Sequence, residues 1–309
     1  MDNNVLTLNQ DDPRIMAARN AEEALYSFYG LKPKTHYIPL PGTGIRVRVS
    51  EIGEGKPIVI MPGNTGDVFP LIPLIAELKN RRVIAINRPG GGLSEGMDHR
   101  IVDLRKFEVN MISTVLDAFA LDSAPIVAHS IGAHFSLWMA IDKPERVTAL
   151  ALLGSPGNIM GAGPPFPLRL LAVPGLNSLL FKLVMPKDPS KSLMGLRFMG
   201  HSAETLASLP NGMSECYYYF QKLPHYKISS LSLMESSVKR LNEDDLKQIQ
   251  QPVILLWGTN DPFGSVQAGQ QIANALPASE FHSLQGGHLP WLDEPEESGR
   301  LIFKFLSRH

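Results

Sequence analysis

Pro125-Ile126-Val127-Ala128-His129-Ser130-Ile131-Gly132 runs from an apolar, β-branched stretch straight into a segment with helical spacing. A strand that turns this sharply into a helix forces the corner residue to positive φ, and the positions two before and two after it must then be small. Ala128 and Gly132 meet that requirement around Ser130. The pattern is that of a nucleophile elbow. It lifts the Ser130 hydroxyl above the carboxyl edge of a sheet and sets the Ile131 amide at a helix N-terminus, where developing negative charge is stabilised. Small-x-Ser-x-small is common by itself, so the weight falls on what surrounds it.

Outward from the elbow, short β-branched runs alternate with longer helical patterns, which is the signature of a mostly parallel sheet covered on both faces. The spacing predicts strands at 36–40, 45–51, 57–61, 83–87, 126–129, 147–153, 252–257 and 280–284, the first two forming a hairpin across Pro41-Gly42-Thr43-Gly44. Apolar residues at three- and four-residue spacing predict helices over 68–78, 102–119, 131–141, 266–276 and 294–306. The alternation breaks at Ser155-Pro156-Gly157 and resumes near residue 250. Between these points the chain is rich in Pro, Met, Leu and aromatic residues and reads as short helical pieces. The expected organisation is a discontinuous core, residues 1–156 and 250–309, carrying an inserted helical cap over 157–249. Neither internal repeats nor low-complexity tracts interrupt it.

The composition excludes several function classes. A net charge of −1 over 309 residues, with no arginine-lysine stripe, leaves no basic field for nucleic acid. One cysteine, Cys216, excludes an intrachain disulfide and a thiolate metal cluster, and reads as a buried small hydrophobe. No His-Glu-x-x-His occurs, and His129 and His134 are five residues apart, which is not the spacing of a helical metal pair. Gly90-Gly91-Gly92 has neither the dinucleotide-binding spacing nor a phosphate-loop lysine. The N-terminus carries no signal or lipidation pattern, and no apolar run approaches a membrane span, so the expectation is a soluble cytoplasmic protein.

A serine hydroxyl is a poor nucleophile near neutral pH and needs a base, and the base needs a group that holds its tautomer. Trp257-Gly258-Thr259-Asn260-Asp261-Pro262 puts Asp261 on the turn after a late strand, at the same carboxyl edge as Ser130. Gln285-Gly286-Gly287-His288 puts His288 on the turn after the last strand. The order Ser, Asp, His along the chain is the one expected for such a sheet. A second amide donor for an oxyanion is expected in Pro62-Gly63-Asn64-Thr65-Gly66, through the Asn64 N–H beside that of Ile131. His129 reads as a packing or supporting residue, and His282 is the weaker candidate base because its surroundings are strand-like. Tyr217-Tyr218-Tyr219-Phe220 with Met185, Met194, Met199, Met213 and Met234 either lines an apolar pocket or packs the cap on the core.

With these residues in view the chain resembles the α/β-hydrolases, in the lid-bearing, esterase-like branch of that superfamily. Asn87-Arg88-Pro89-Gly90-Gly91-Gly92-Leu93-Ser94 resembles the family's Asp-x-Pro-Gly-x-Gly-x-Ser loop. His288-Leu289-Pro290-Trp291 with Glu294-Pro295 resembles its segment after the histidine. Two positions depart from the pattern: Pro62 stands where the family usually has histidine before Gly63, and Asn87 where it has aspartate. The resemblance implies an α/β-hydrolase fold and an acyl-enzyme hydrolase of an ester with an apolar portion, needing no metal or organic cofactor. Serine at the elbow disfavours the relatives that open epoxides or displace halide. Other readings are a carbon–carbon hydrolase of ring-cleavage products, a lactonase, perhydrolase or acyltransferase, and a non-catalytic ligand receptor. The carbon–carbon hydrolases usually carry Trp directly after the histidine, whereas Leu289 follows His288. Oligomeric state and the role of residues 1–30, with an amphipathic stretch at 21–29, stay open.

Overall fold

The structure is a computed structural model that describes residues 5–160, 162–236 and 238–309. Along the chain, β1 (Val5–Leu6) and α1 (Pro13–Phe28) precede the hairpin β2 (Lys34–Pro39) and β3 (Arg46–Ile52). Then come β4 (Lys56–Met61), α2 (Ile72–Glu77), β5 (Arg81–Ile86), β6 (Gly96–Met97), α3 (Leu104–Ala118), β7 (Ala124–His129), α4 (Ile131–Asp142) and β8 (Val147–Leu153). Short helices follow: α5 (Phe166–Arg169), α6 (Leu176–Val184), α7 (Met194–Arg197), α8 (Ala203–Ser208), α9 (Asn211–Phe220), α10 (Tyr226–Glu235) and α11 (Glu243–Leu246). β9 (Val253–Gly258), α12 (Val266–Ala275), β10 (Ser279–Leu284), α13 (Pro290–Asp293) and α14 (Pro295–Arg308) complete the order.

Eight strands form one sheet in the order β10-β9-β8-β7-β4-β5-β3-β2. β10 through β5 pair in parallel, while β3 runs antiparallel to both β2 and β5. The order reverses at β4: its crossover leads to β5 on one side, whereas β7 leaves through α4 to β8 on the other. The carboxyl ends of β4 and β7 therefore mark the switch point, which is where ligands bind in open α/β sheets. Among the described residues the chain between β8 and β9 contributes helices and two isolated bridges, from Ile159 to Ala162 and to Leu241.

The strands are buried on both faces, so their side chains sort by parity into two apolar layers. Val59 and Met61 join Ile126, Ala128, Leu150, Leu152, Val253 and Leu255 on one face, covered by α3, α4 and α12. Ile58 and Ile60 join Val127, Ala151, Ile254 and Leu256 on the other, covered by α1, α2 and α14. Truncating any one of the Leu, Ile or Met residues among these to Ala is expected to cost about 2–5 kcal/mol.

Local signals set the helix ends. Asp103 caps α3 by accepting from the Lys106 N–H, and Ser265 caps α12 by accepting from the Ala268 N–H. The expected helix over 68–78 is corrected to a 3₁₀ turn, Phe69–Leu71, followed by the shorter α2. Pro70 and Pro73 cause this: neither has an N–H to donate, so each is tolerated only in the first turn of a new helix. The stretch at 21–29 is the second half of α1, which starts at Pro13 behind an Asp12 cap and buries Leu25 and Tyr26 in the layer that holds Met213, Cys216 and Phe220 of α9. β1, pairing antiparallel with β6, is an element the sequence pattern did not announce.

Candidate active site

Ser130 occupies the corner between β7 and α4 with φ 53° and ψ −125°. A non-glycine residue there stores about 1–3 kcal/mol of backbone strain, held in place by its surroundings. Its amide donates to the Leu153 carbonyl of β8 at 3.1 Å, tying the corner to the sheet. Gly132 is small for a physical reason: a Cβ on it would lie 2.2 Å from the Pro62 carbonyl oxygen. The close approach of elbow and β4 loop depends on that missing carbon.

Ser130, His288 and Asp261 form one hydrogen-bonded chain. His288 Nε2 lies 2.8 Å from Ser130 Oγ, and His288 Nδ1 lies 2.8 Å from Asp261 Oδ2. Asp261 Oδ2 also accepts from the Ser155 N–H at 2.9 Å, and Oδ1 accepts from the Phe263 N–H at 2.8 Å. With its oxygens engaged as acceptors, the carboxylate holds the proton on Nδ1 and leaves Nε2 to accept from the serine hydroxyl. His288 is 2% and Asp261 7% exposed, so the pair works away from bulk water, while Ser130 is half-buried. The Phe263 ring lies over the imidazole at 4.2 Å.

The oxyanion candidates sit on either side of Ser130. Helix α4 begins its own ladder with Ala133 and His134 donating to the Ser130 carbonyl, which leaves the Ile131 amide free of intrahelical duty. On the β4 side, the Gly63 carbonyl accepts from the Gly66 N–H at 3.0 Å and from Arg88 Nη1 at 3.1 Å. The peptide is trans, so a carbonyl held in that direction turns the Asn64 N–H to the opposite side. A Cβ on Gly63 would lie 3.3 Å from Ser130 Cβ, which places this loop against the nucleophile candidate.

The remaining histidines separate cleanly. His129 packs 4.8 Å from the His288 ring and donates Nε2–H to the His288 carbonyl at 3.3 Å, while burial pushes its pKa well below the ordinary value. His134 has a backbone carbonyl within reach of each ring nitrogen, those of Gly157 and Lys239, and the neutral ring donates to one of them. His282 stands half-exposed on edge strand β10, 3.6 Å from Glu280, and takes no part in the Ser130 cluster. No group of three His, Cys, Asp or Glu side chains among the described residues could hold a metal ion. Met213 and Phe220 are fully buried packing residues, and Met194 is 58% exposed. Asn87, the departure in the glycine-rich loop, accepts from the Val68 N–H through Oδ1 at 3.0 Å. Sequence reasoning missed Ser155, Phe263, Arg88, His201 and Asp293, whose parts emerge only from contacts distant in the chain.

A parallel sheet with this strand order, and a serine corner facing a histidine–carboxylate pair across its carboxyl edge, define a hydrolase scaffold. The model of the alpha/beta hydrolase fold family matches residues 56–295, and the chain belongs to that family. Among curated proteins it is 26% identical over 271 residues to the 2-hydroxy-6-oxononadienedioate/2-hydroxy-6-oxononatrienedioate hydrolase 2 of Pseudomonas putida, covering 85% of this chain and 92% of that one. Among solved structures it is similar to the carboxylesterase CesB of Bacillus subtilis, with a TM-score of 0.76, 14% identity and coverage of 96% and 99% of the two chains. The 2-hydroxy-6-oxo-6-phenylhexa-2,4-dienoate hydrolase of a Rhodococcus strain superposes with a TM-score of 0.72 at 20% identity, covering 90% and 99%. No described helix is long and apolar enough to cross a membrane.

Proposed function

We propose that this chain is a serine hydrolase of a carboxylic ester, or a related carbonyl compound, with an apolar portion. The observation that carries the reading is the unbroken chain Ser130 Oγ, His288, Asp261 with both links at 2.8 Å. Ser130 Oγ attacks the carbonyl carbon as His288 Nε2 takes its proton. Asp261 holds the imidazole in the required tautomer and stabilises its cation. The amides of Ile131 and Asn64 receive the oxyanion, His288 returns the proton to the leaving alcohol, and water releases the acyl group by the same steps in reverse. The helical segment over 157–249 acts as a cap that bounds the substrate space, and the substrate is a small molecule.

The test is hydrolysis of a p-nitrophenyl ester series from acetate to dodecanoate, with Ser130→Ala and His288→Ala alongside. Loss of turnover by about 10⁶-fold in both variants is the expected result. A Ser130→Ala variant retaining the wild-type rate overturns the serine mechanism. The chain-length optimum sizes the capped space.

The curated relatives favour a second reading, carbon–carbon bond hydrolysis of a ring-opened dienoate. Leu289 stands directly after His288, where those enzymes usually carry Trp, and this keeps the ester reading first. Turnover of a 2-hydroxy-6-oxodienoate, with inert p-nitrophenyl esters, reverses the order.

A further inference from the structure

Three consecutive amides of the loop that carries His288 are bound, and two of their acceptors lie in the segment inserted between β8 and β9. The Gly287 N–H donates to Asp293 Oδ2 at 3.1 Å. The His288 N–H donates to the Met199 carbonyl at 2.8 Å. The Leu289 N–H donates to His201 Nε2 at 3.3 Å. The core supplies two further anchors, the Asn260 N–H to the Gly286 carbonyl at 2.8 Å and His129 to the His288 carbonyl.

His201 is itself fixed. Its side chain is 0% exposed, and Nδ1 lies 2.6 Å from Asp293 Oδ2. Asp293 Oδ1 accepts from Thr205 Oγ1 at 2.6 Å, a third residue of the inserted segment. A neutral imidazole with its proton on Nδ1 satisfies both sides, donating to Asp293 and accepting from Leu289. The backbone between these contacts is wedged into the site: Gly200 has φ +90°, and a Cβ there would lie 2.1 Å from the Asn260 carbonyl oxygen and 3.2 Å from Gly287 Cα. Residues 199–201 thus press between the loop of Asp261 and the loop of His288.

We propose that His201, together with Asp293, is a positioning residue: a latch through which the inserted segment sets the place of the base His288. This rests on the reading of Ser130 and His288 as nucleophile and base. The imidazole of His288 must stand within hydrogen-bond reach of Ser130 Oγ on one side and Asp261 on the other, and two of the five backbone anchors named here come from the segment proposed as the cap. Movement of that segment carries the base with it, so an open cap is a cap with a displaced base.

The test uses the full chain with His201→Phe, His201→Gln and Thr205→Val. Three quantities are measured: kcat and KM on the best p-nitrophenyl ester, the rate of Ser130 labelling by a fluorophosphonate, and the low-field proton resonance of His288 Nδ1–H. His201→Phe keeps the bulk and removes both bonds. The expected result is a loss of about 10- to 100-fold in kcat and in labelling rate, with KM little changed, because an ångström of misplacement is that costly. The low-field resonance moves or disappears. In His201→Gln the side-chain carbonyl accepts from Leu289 again, and rate and resonance return most of the way. Thr205→Val, which removes one donor from Asp293 on the half-buried rim, shows a smaller change in the same direction and serves if the phenylalanine variant does not fold.

Folded variants with unchanged kcat and an unmoved resonance overturn the latch. So does a Gln variant as impaired as the Phe variant at equal thermal stability, since that is loss of packing alone. If the wild type neither hydrolyses ester nor labels, the nucleophile reading falls. The resonance still reports whether His201 sets His288, and there too an unmoved signal overturns the latch while a moved one upholds it.

Discussion

Arg88 and Glu108 pair at 2.7 Å with side chains 1% and 0% exposed, and the same guanidinium donates to the Gly63 carbonyl at 3.1 Å. The Phe135 ring lies under it at 4.7 Å. A buried ion pair thus holds the peptide whose opposite face is the Asn64 amide.

Removing one partner leaves the other charge buried and unpaired. Arg88→Met and Glu108→Leu are each expected to lower stability by about 3–5 kcal/mol in urea unfolding. The double variant recovers most of that stability, because two apolar groups replace two compensating charges. Its ester hydrolysis stays low, since the Gly63 carbonyl then keeps only the Gly66 N–H and loses the guanidinium that fixes its direction. Full recovery of rate together with stability contradicts a part for Arg88 in orienting the oxyanion loop.

Gly132→Ala inserts a carbon 2.2 Å from the Pro62 carbonyl oxygen. The β4 loop must retreat, and with it the Asn64 amide. On the proposed mechanism, in which the Asn64 amide is an oxyanion donor, kcat falls by about 10²–10³-fold, which steady-state kinetics on the same ester measures. A wild-type kcat in this variant removes the Gly63–Asn64 peptide from the oxyanion site.

Asp261→Asn preserves shape and reverses polarity at one atom. Oδ2 now accepts from both His288 Nδ1–H and the Ser155 N–H, and an amide NH₂ there repels both. An amide oxygen turned to that position keeps only one orientation of the side chain. The expected fall in kcat is about 10⁴-fold, with circular dichroism unchanged.

Stability depends on pH through groups away from the site. Burial pushes His99 down to about 3, and His134 and His225 down to about 4. Between pH 6.5 and those values the unfolded chain binds protons that the folded chain does not, so stability falls as the solution is acidified, by about 1.4 kcal/mol per pH unit for each such histidine. Asp67 works in the opposite direction. Its burial raises the carboxyl to about 7, so the folded chain holds a proton that the unfolded chain has lost above its ordinary value, and stability falls as pH rises toward 7. Asp67→Asn removes that term. Melting temperatures from pH 4.5 to 8 should show a net acid loss in the wild type, a steeper one in the variant, and the largest gain for the variant above pH 7. A variant no more stable than wild type at pH 8 contradicts a carboxyl whose burial outweighs its bonds from Gly92 and Thr65.

How much could be read beforehand differs by residue. Ser130 and Asp261 each follow a short apolar strand, and His288 follows two glycines after the edge strand, local signals that survive without knowledge of neighbours. The sheet follows from the same alternation of periods, but its reversal at β4 is a matter of strand order, which that alternation does not carry. Asn64 was reachable only by its place in a loop, because what turns its amide is Arg88, 24 positions away and chosen by packing. His201 carried no signal at all: it lies in a turn of the inserted segment and finds Asp293 and Leu289 only once the two loops meet. The helix expected over 68–78 is broken because Pro70 and Pro73 lack the amides that a continuous helix requires, which apolar spacing does not reveal.

The sheet places β9 directly beside β8, yet about 100 residues separate them in the chain, which at the usual pace of synthesis is on the order of 5–20 s. For that interval a growing polypeptide carries Ala149-Leu150-Ala151-Leu152-Leu153 as a bare strand edge with apolar side chains on both faces. Such an edge invites pairing with other chains. The seam where the late strands dock is therefore also the place where a ribosome-bound chain most needs a chaperone's cover.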